Sequence, residues 1–396
     1  MEHSFKTANH RNHTRRVTVL SILHLFTFSL LYLFIPSPLS ASTTLPLKGT
    51  FVSPADTHIK YVGRISFQNP ERPAWNYPGA QIIAAFEGTQ AKLVCKPGSG
   101  YFMAQIDEAE PFKVAFRGQC DSVVTLCTAL PQGRHTVKLM YVIEGYEMRP
   151  EFWGFLFDGP IVDAPALPAR SIEFIGNSIT CAYGNESTNK WDHFEYETEN
   201  HYYGYAQLTA RALEAKASIV ARSGIGAYRN YSGPKTGNPE SHMPVQYEYT
   251  AYAYDTKLRK NPGMDSEKWD FSRFTPDVVC INLGTNDLST EGYDTKLLKE
   301  GYQRLLKLVR SHNPKAKIVF LCGSMLNGHQ LDICKQILNE VRDEAQKAGD
   351  KEIYRFDFSP ATGALMYGAD WHPSVWQHEL MAAELIAYLR TLMQWW

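Results

Sequence analysis

The sequence predicts an α/β protein in two parts: a β-sandwich of the jelly-roll kind, then a parallel sheet of about five strands covered by helices. Two observations predict it. Between residues 47 and 160, short apolar and aromatic runs recur with turn residues between them, the spacing of a sandwich or jelly roll. Past the three prolines of residues 159–169, strand-like runs alternate with helix-length ones, the pattern of parallel strands joined by crossover helices. A length of 396 residues suits two or three domains. With 44% hydrophobic and 20% charged residues, the composition is globular. A net charge of −1 leaves neither a basic surplus for nucleic acid nor an acidic excess for disorder.

Residues 1–45 read as a targeting segment. Arg11, Arg15 and Arg16 precede an apolar run, 17–35, which Pro36, Pro38 and the small residues Ser40, Ala41 and Ser42 end. This is the layout of a secretory signal peptide; the run is long for one, so a membrane anchor is the rival. Either way the remainder is expected to be exported: secreted, periplasmic or at the cell surface. Strands of the first domain, 47–160, are expected at 63–67, 80–86, 92–95, 101–106, 112–116, 122–129, 135–142 and 152–157. Residues 161–169 are expected to be a linker. In the second domain, 170–396, strands are expected at 172–175, 217–221, 278–283, 317–322 and 353–358, with helices at 201–215, 295–311, 328–348 and 374–393. The Tyr-, Pro- and Asn-rich piece 233–274 is expected to be an ordered insertion near the site. Seven cysteines cannot all pair. Cys280 and Cys322 lie in apolar strands and are expected to be buried, whereas Cys95, Cys120 and Cys127 offer one disulfide in an oxidising compartment.

The chemistry gathers around 172–183, IEFIGNSITCAY. An apolar run stops at Gly176, and Asn177 and Ser178 follow. A strand thus delivers a serine onto a tight turn at the carboxyl edge of the sheet, where open α/β folds bind ligands. Read alone, Ser178 is equally a helix cap. Three further stretches fall at the same edge. Ser223-Gly224-Ile225-Gly226 follows the second strand, where a glycine leaves an N–H exposed for an oxyanion. Gly284-Thr285-Asn286-Asp287 follows the third, where the Asn286 amide can donate to the same charge. Asp370-Trp371-His372-Pro373 precedes the last helix. There His372 can take the proton of Ser178 while Asp370 fixes its tautomer. Trp371 offers a flat face to a pyranose ring.

Gly176-Asn177-Ser178, Gly224, Gly284-Thr285-Asn286-Asp287 and Asp370-Trp371-His372 together resemble the four blocks of the SGNH (GDSL-type) hydrolases. Gly63-Arg64, Trp75, Pro78-Gly79, Phe86-Glu87-Gly88-Thr89 and the DWHP stretch resemble the second family of carbohydrate esterases. The resemblance spans roughly residues 50–393. It implies a jelly roll joined to a flavodoxin-like, three-layer α/β/α hydrolase domain that removes acetyl groups from xylan or glucomannan without metal or cofactor. It implies Ser178 as nucleophile, His372 as base and Asp370 as third member. Ser178, Gly224 and Asn286 are then the oxyanion donors, and an acetylated polysaccharide or oligosaccharide is the partner. Two departures stand out. The usual GDS is GNS here, and Asp370 lies one residue closer to His372 than the superfamily spacing, so a backbone carbonyl is the alternative support for the ring. A non-catalytic carbohydrate binder and an esterase of lipids, thioesters or other small acyl esters are the competing functions.

Overall fold

A β-sandwich leads into a five-stranded parallel sheet, and the described residues of both belong to one compact unit. The computed structural model describes residues 49–145, 147–251 and 266–396. The expected targeting segment 1–45 lies outside them, as does part of the 233–274 insertion, residues 252–265. Strands are numbered along the chain. One sandwich sheet runs β1 (Thr50–Val52), β9 (Phe152–Phe157), β4 (Ala91–Cys95), β7 (Val123–Cys127). The other runs β10 (Ile161–Val162), β3 (Gln81–Gly88), β8 (Gly133–Tyr141), β5 (Gly100–Ile106), β6 (Phe112–Phe116), with β2 (Lys60–Val62) also on β3. Buried and half-exposed residues alternate along β4, because one face meets the core and the other does not. The core between the sheets is aromatic. Trp75 meets Phe102 and Tyr141 edge-on at 6.2 and 5.7 Å, and Phe86 stacks on Phe157 at 4.4 Å.

Three details differ from the sequence reading. The run 63–67 forms no strand: Gly63 takes φ +106°, and Ser66 only bridges to Ala74. The 161–169 segment opens with β10, which pairs antiparallel with Phe86 and Ala85, so part of it is sheet. No cysteine is bridged; Cys95, Cys120 and Cys127 are all free thiols.

The parallel sheet has the order β12 (Ala215–Ala221), β11 (Arg170–Gly176), β13 (Val278–Asn282), β14 (Lys317–Cys322), β15 (Ile353–Asp357). Every residue of β13 is buried, as a central strand with helices on both faces requires. Ile318 and Phe320 face the core shared with the helices Thr295–His312 and Gly328–Lys347. Val319 and Leu321 face the opposite core, with Tyr205–Ala212 and Val375–Met393. The expected helix 201–215 is shorter, because Gly204 (ψ 147°) separates the 3-10 turn His201–Tyr203 from the helix Tyr205–Ala212. Among the described residues no helix is long and apolar enough to cross a membrane.

Arg64 ties the sandwich to the sheet. Its side chain is buried, its Nη2 lies 3.2 Å from Glu173 of β11, and its Nη1 donates to the carbonyls of Tyr247 and Tyr249. Those carbonyls belong to the described part of the insertion, which is thereby held as ordered structure.

Candidate active site

Strand β11 ends at Gly176, where a Cβ would come within 2.0 Å of Thr180 Oγ1. That close approach needs glycine. Asn177 then caps a one-turn helix, Ser178–Cys181, its side chain accepting from the N–H of Ile179. The expected cap role thus falls to Asn177, and Ser178 stands free of it as the first residue of the turn. Its Oγ lies 2.8 Å from His372 Nε2. The two residues are 194 positions apart in the chain.

His372 follows a strained turn. Asp370 and Trp371 both have positive φ, 47° and 65°, a conformation that costs non-glycine residues energy and concentrates at functional sites. The turn brings the carbonyl oxygens of Ala369 and Asp370 each to 3.2 Å from His372 Nδ1. Nδ1–H therefore has carbonyl acceptors, and the Nε2 lone pair is left toward Ser178. The expectation that the Asp370 carboxylate orients the ring is corrected here. That carboxylate accepts from Tyr183 Oη (2.9 Å) and the N–H of Phe194 (3.2 Å) and meets His193 Nδ1 at 3.1 Å. The left-handed turn swings it away from the imidazole. Burial alone would raise its pKa, but the bonds from Tyr183 and His193 outweigh that and lower it. Tyr183 in turn stacks on the His372 ring at 4.1 Å. Asp370 reaches the histidine through Tyr183. The His372 ring is half-buried in the cleft wall, and desolvation lowers its pKa to about 4 against the opposing pull of the two carbonyls. The ring is therefore neutral at neutral pH.

The other two stretches close the same space. Gly224 has φ +76° with nothing within 4 Å of a hypothetical Cβ, so backbone conformation and not crowding calls for glycine. Asn286 begins the turn after β13, and its Nδ2 donates to the carbonyl of Ile225 at 2.8 Å. One N–H of the amide is thus anchored and the second remains for a ligand. Next to it, the buried Asp287 carboxylate accepts from the N–H groups of Ala227, Tyr228 and Arg229 at 2.9–3.0 Å. This stitches the Gly224 loop to the Asn286 turn. Arg229 is structural: it donates to the carbonyls of Asp287, Thr290 and Glu291. Ser178, Gly224, Asn286, Asp370 and His372 line one open cleft of about 610 Å³, together with Tyr183, Ser223, Tyr231, Thr285, Ser289 and Met325.

Trp371 is 42% exposed at the rim. Trp191, which the sequence reading passed over, stands against it at 5.0 Å and 85°, is 68% exposed, and makes an aromatic corner. Lys190 Nζ lies 3.9 Å from the centroid of the Trp371 ring. A lone tryptophan in the largely polar stretch 185–200 was a signal for it. Nothing in the sequence singled out Tyr183.

Comparison with known proteins agrees with this architecture. Residues 61–165 match the carbohydrate esterase 2 N-terminal model, and residues 174–380 match the GDSL-like lipase/acylhydrolase family. The cellulase/esterase CelE of Acetivibrio thermocellus is 37% identical over 338 residues, 85% of this chain. The chain spans only 40% of that protein's length. An acetylxylan esterase / glucomannan deacetylase of Cellvibrio japonicus is 27% identical over 354 residues, covering 87% of this chain and 91% of that one. A family two carbohydrate esterase from Clostridium thermocellum, solved in complex with cellohexaose, superimposes with a TM-score of 0.77 at 38% identity, covering 85% of this chain and all of that one. The chain therefore belongs to the family 2 carbohydrate esterases, a sandwich joined to a GDSL-like hydrolase domain.

Proposed function

We propose that the protein is an exported serine esterase that removes O-acetyl groups from plant cell-wall polysaccharide, xylan, glucomannan or their oligosaccharides, through an acetyl-enzyme intermediate. The observation that carries this reading is the 2.8 Å contact between Ser178 Oγ and a desolvated, carbonyl-held His372 in an open cleft. Ser178 Oγ bonds to the acetyl carbon as its proton passes to His372 Nε2. The N–H groups of Ser178 and Gly224 and the free N–H of Asn286 receive the oxyanion. His372 then gives its proton to the departing sugar hydroxyl. Water, deprotonated by the same nitrogen, releases acetate.

Two features favour a short acyl group on a sugar over a lipid. Hydroxyl, amide and aromatic side chains and the Asp370 carboxylate dominate the cleft lining, with Met325 its one aliphatic side chain, whereas long acyl chains want an apolar channel. The exposed Trp191–Trp371 corner, whose Trp371 adjoins His372 in sequence, offers aromatic faces suited to pyranose rings. The test is acetate release from acetylated xylan, glucomannan and pectin. Wild-type protein should release acetate from at least one, and Ser178→Ala should release none above background. Full activity in Ser178→Ala would end the reading.

A further inference from the structure

We propose that Glu144, a residue of the sandwich, is a positioning residue that holds the oxyanion turn of the hydrolase domain in register with the nucleophile; this rests on the esterase reading above. Glu144 lies just past β8 and is 2% exposed. Its Oε1 accepts from the backbone N–H of Ser223 and its Oε2 from Ser223 Oγ, both at 2.5 Å. One carboxylate thus grips both the N–H and the hydroxyl of the residue before Gly224.

Its own backbone is fixed in turn. The N–H of Glu144 donates to Glu199 Oε2 at 2.8 Å, and that of Gly145 to the Asn76 carbonyl at 2.9 Å. A buried carboxyl group needs hydrogen-bond partners to offset its lost hydration; burial pushes the Glu144 pKa up, and the two Ser223 bonds oppose that. Both polar groups that Ser223 could turn elsewhere are therefore committed to Glu144. The next residue, Gly224, lines the cleft. An oxyanion site works only if its donors hold position within a fraction of an ångström. The sandwich provides that hold from outside the hydrolase domain.

The test compares Glu144→Ala and Glu144→Gln in the full chain, using p-nitrophenyl acetate and a fluorophosphonate. In the second reagent Ser178 Oγ bonds to phosphorus as fluoride leaves, and the phosphoryl oxygen takes the oxyanion's place. Glu144→Ala should lower kcat and the phosphonylation rate together by about ten- to a hundredfold, part of the two to three orders that loss of a whole donor costs. KM should stay within about twofold and labelling should still go to completion, which a partly unfolded population would not allow. Glu144→Gln, which keeps an acceptor for Ser223 N–H, should recover most of the rate. Should Glu144→Ala fail to fold, Ser223→Ala removes one anchor and should slow phosphonylation about three- to tenfold. Wild-type phosphonylation rates in Glu144→Ala, or in Ser223→Ala where that variant stands in, would overturn the proposal alone. A wild-type chain that fluorophosphonate does not label would overturn the esterase reading with it.

Discussion

At the residue scale, the support of His372 decides the chemistry. Two carbonyls hold its Nδ1 and burial lowers its pKa to about 4. In the proposed mechanism the neutral form takes the Ser178 proton, so activity should be complete at neutral pH and fall as pH drops through about 4. A profile of kcat/KM on a small acetyl ester measures this; an inflection near 6.5 would mean an ordinary, solvated imidazole. Asp370→Ala should cost well under a hundredfold in kcat, because the carboxylate touches Tyr183, His193 and Phe194 and not the imidazole. A loss near ten-thousandfold, as for a true triad carboxylate, would contradict the geometry. The sequence showed the unusual spacing of Asp370 from His372. It did not show which way the carboxylate turns, since that follows from the left-handed φ of Asp370 and Trp371.

At the element scale, the site is three strand-ending turns and the approach to a helix, held to one another by buried polar groups. Strands β11, β12, β13 and β14 were legible because their residues are buried on both faces, which leaves uninterrupted apolar runs. The 63–67 run, GRISF, was expected as a strand too, yet Gly63 turns the chain there and the pairing falls to residues 60–62. Asp287 illustrates what holds the turns. Its carboxylate is buried under three N–H groups of the Gly224 loop, and desolvation raises its pKa against the pull of those bonds. Asp287→Ala should destabilise the protein by about 2–4 kcal/mol, since three buried donors lose their acceptor at once. Urea unfolding of the two proteins gives the difference, and a change below about 0.5 kcal/mol would show the loop is held by other means.

At the scale of the whole molecule, the sandwich and the parallel sheet are joined through buried charge. Arg64 reaches from beside β2 to Glu173 in β11 and to two carbonyls of the insertion. Removing one partner of such a pair leaves the other charge buried and alone. Arg64→Ala should therefore cost about 3–5 kcal/mol and lower the thermal midpoint. A midpoint equal to wild type would show that the junction relies on its apolar contacts. Arg64 and Glu144 cross the junction at different places, one gripping the middle of β11 and one the turn after β12.

The sequence by itself determined the two sheet systems, the strand-to-turn positions of Ser178, Gly224 and Asn286, and the placement of His372 before the last helix. These follow from local patterns: apolar periodicity, glycine where the chain must turn, polar residues at strand ends. Only the tertiary structure decided the partners. It assigned His372 Nδ1 to carbonyls, Asp370 to Tyr183, Arg64 to Glu173, and Glu144 to Ser223. Most of these pairs join residues tens to hundreds of positions apart. Even the short-range His372 contact depends on a turn held by Gly184, Asp192 and Phe194. Which donor meets which acceptor is set by distances the packed elements impose, and a single chain's local pattern does not carry them.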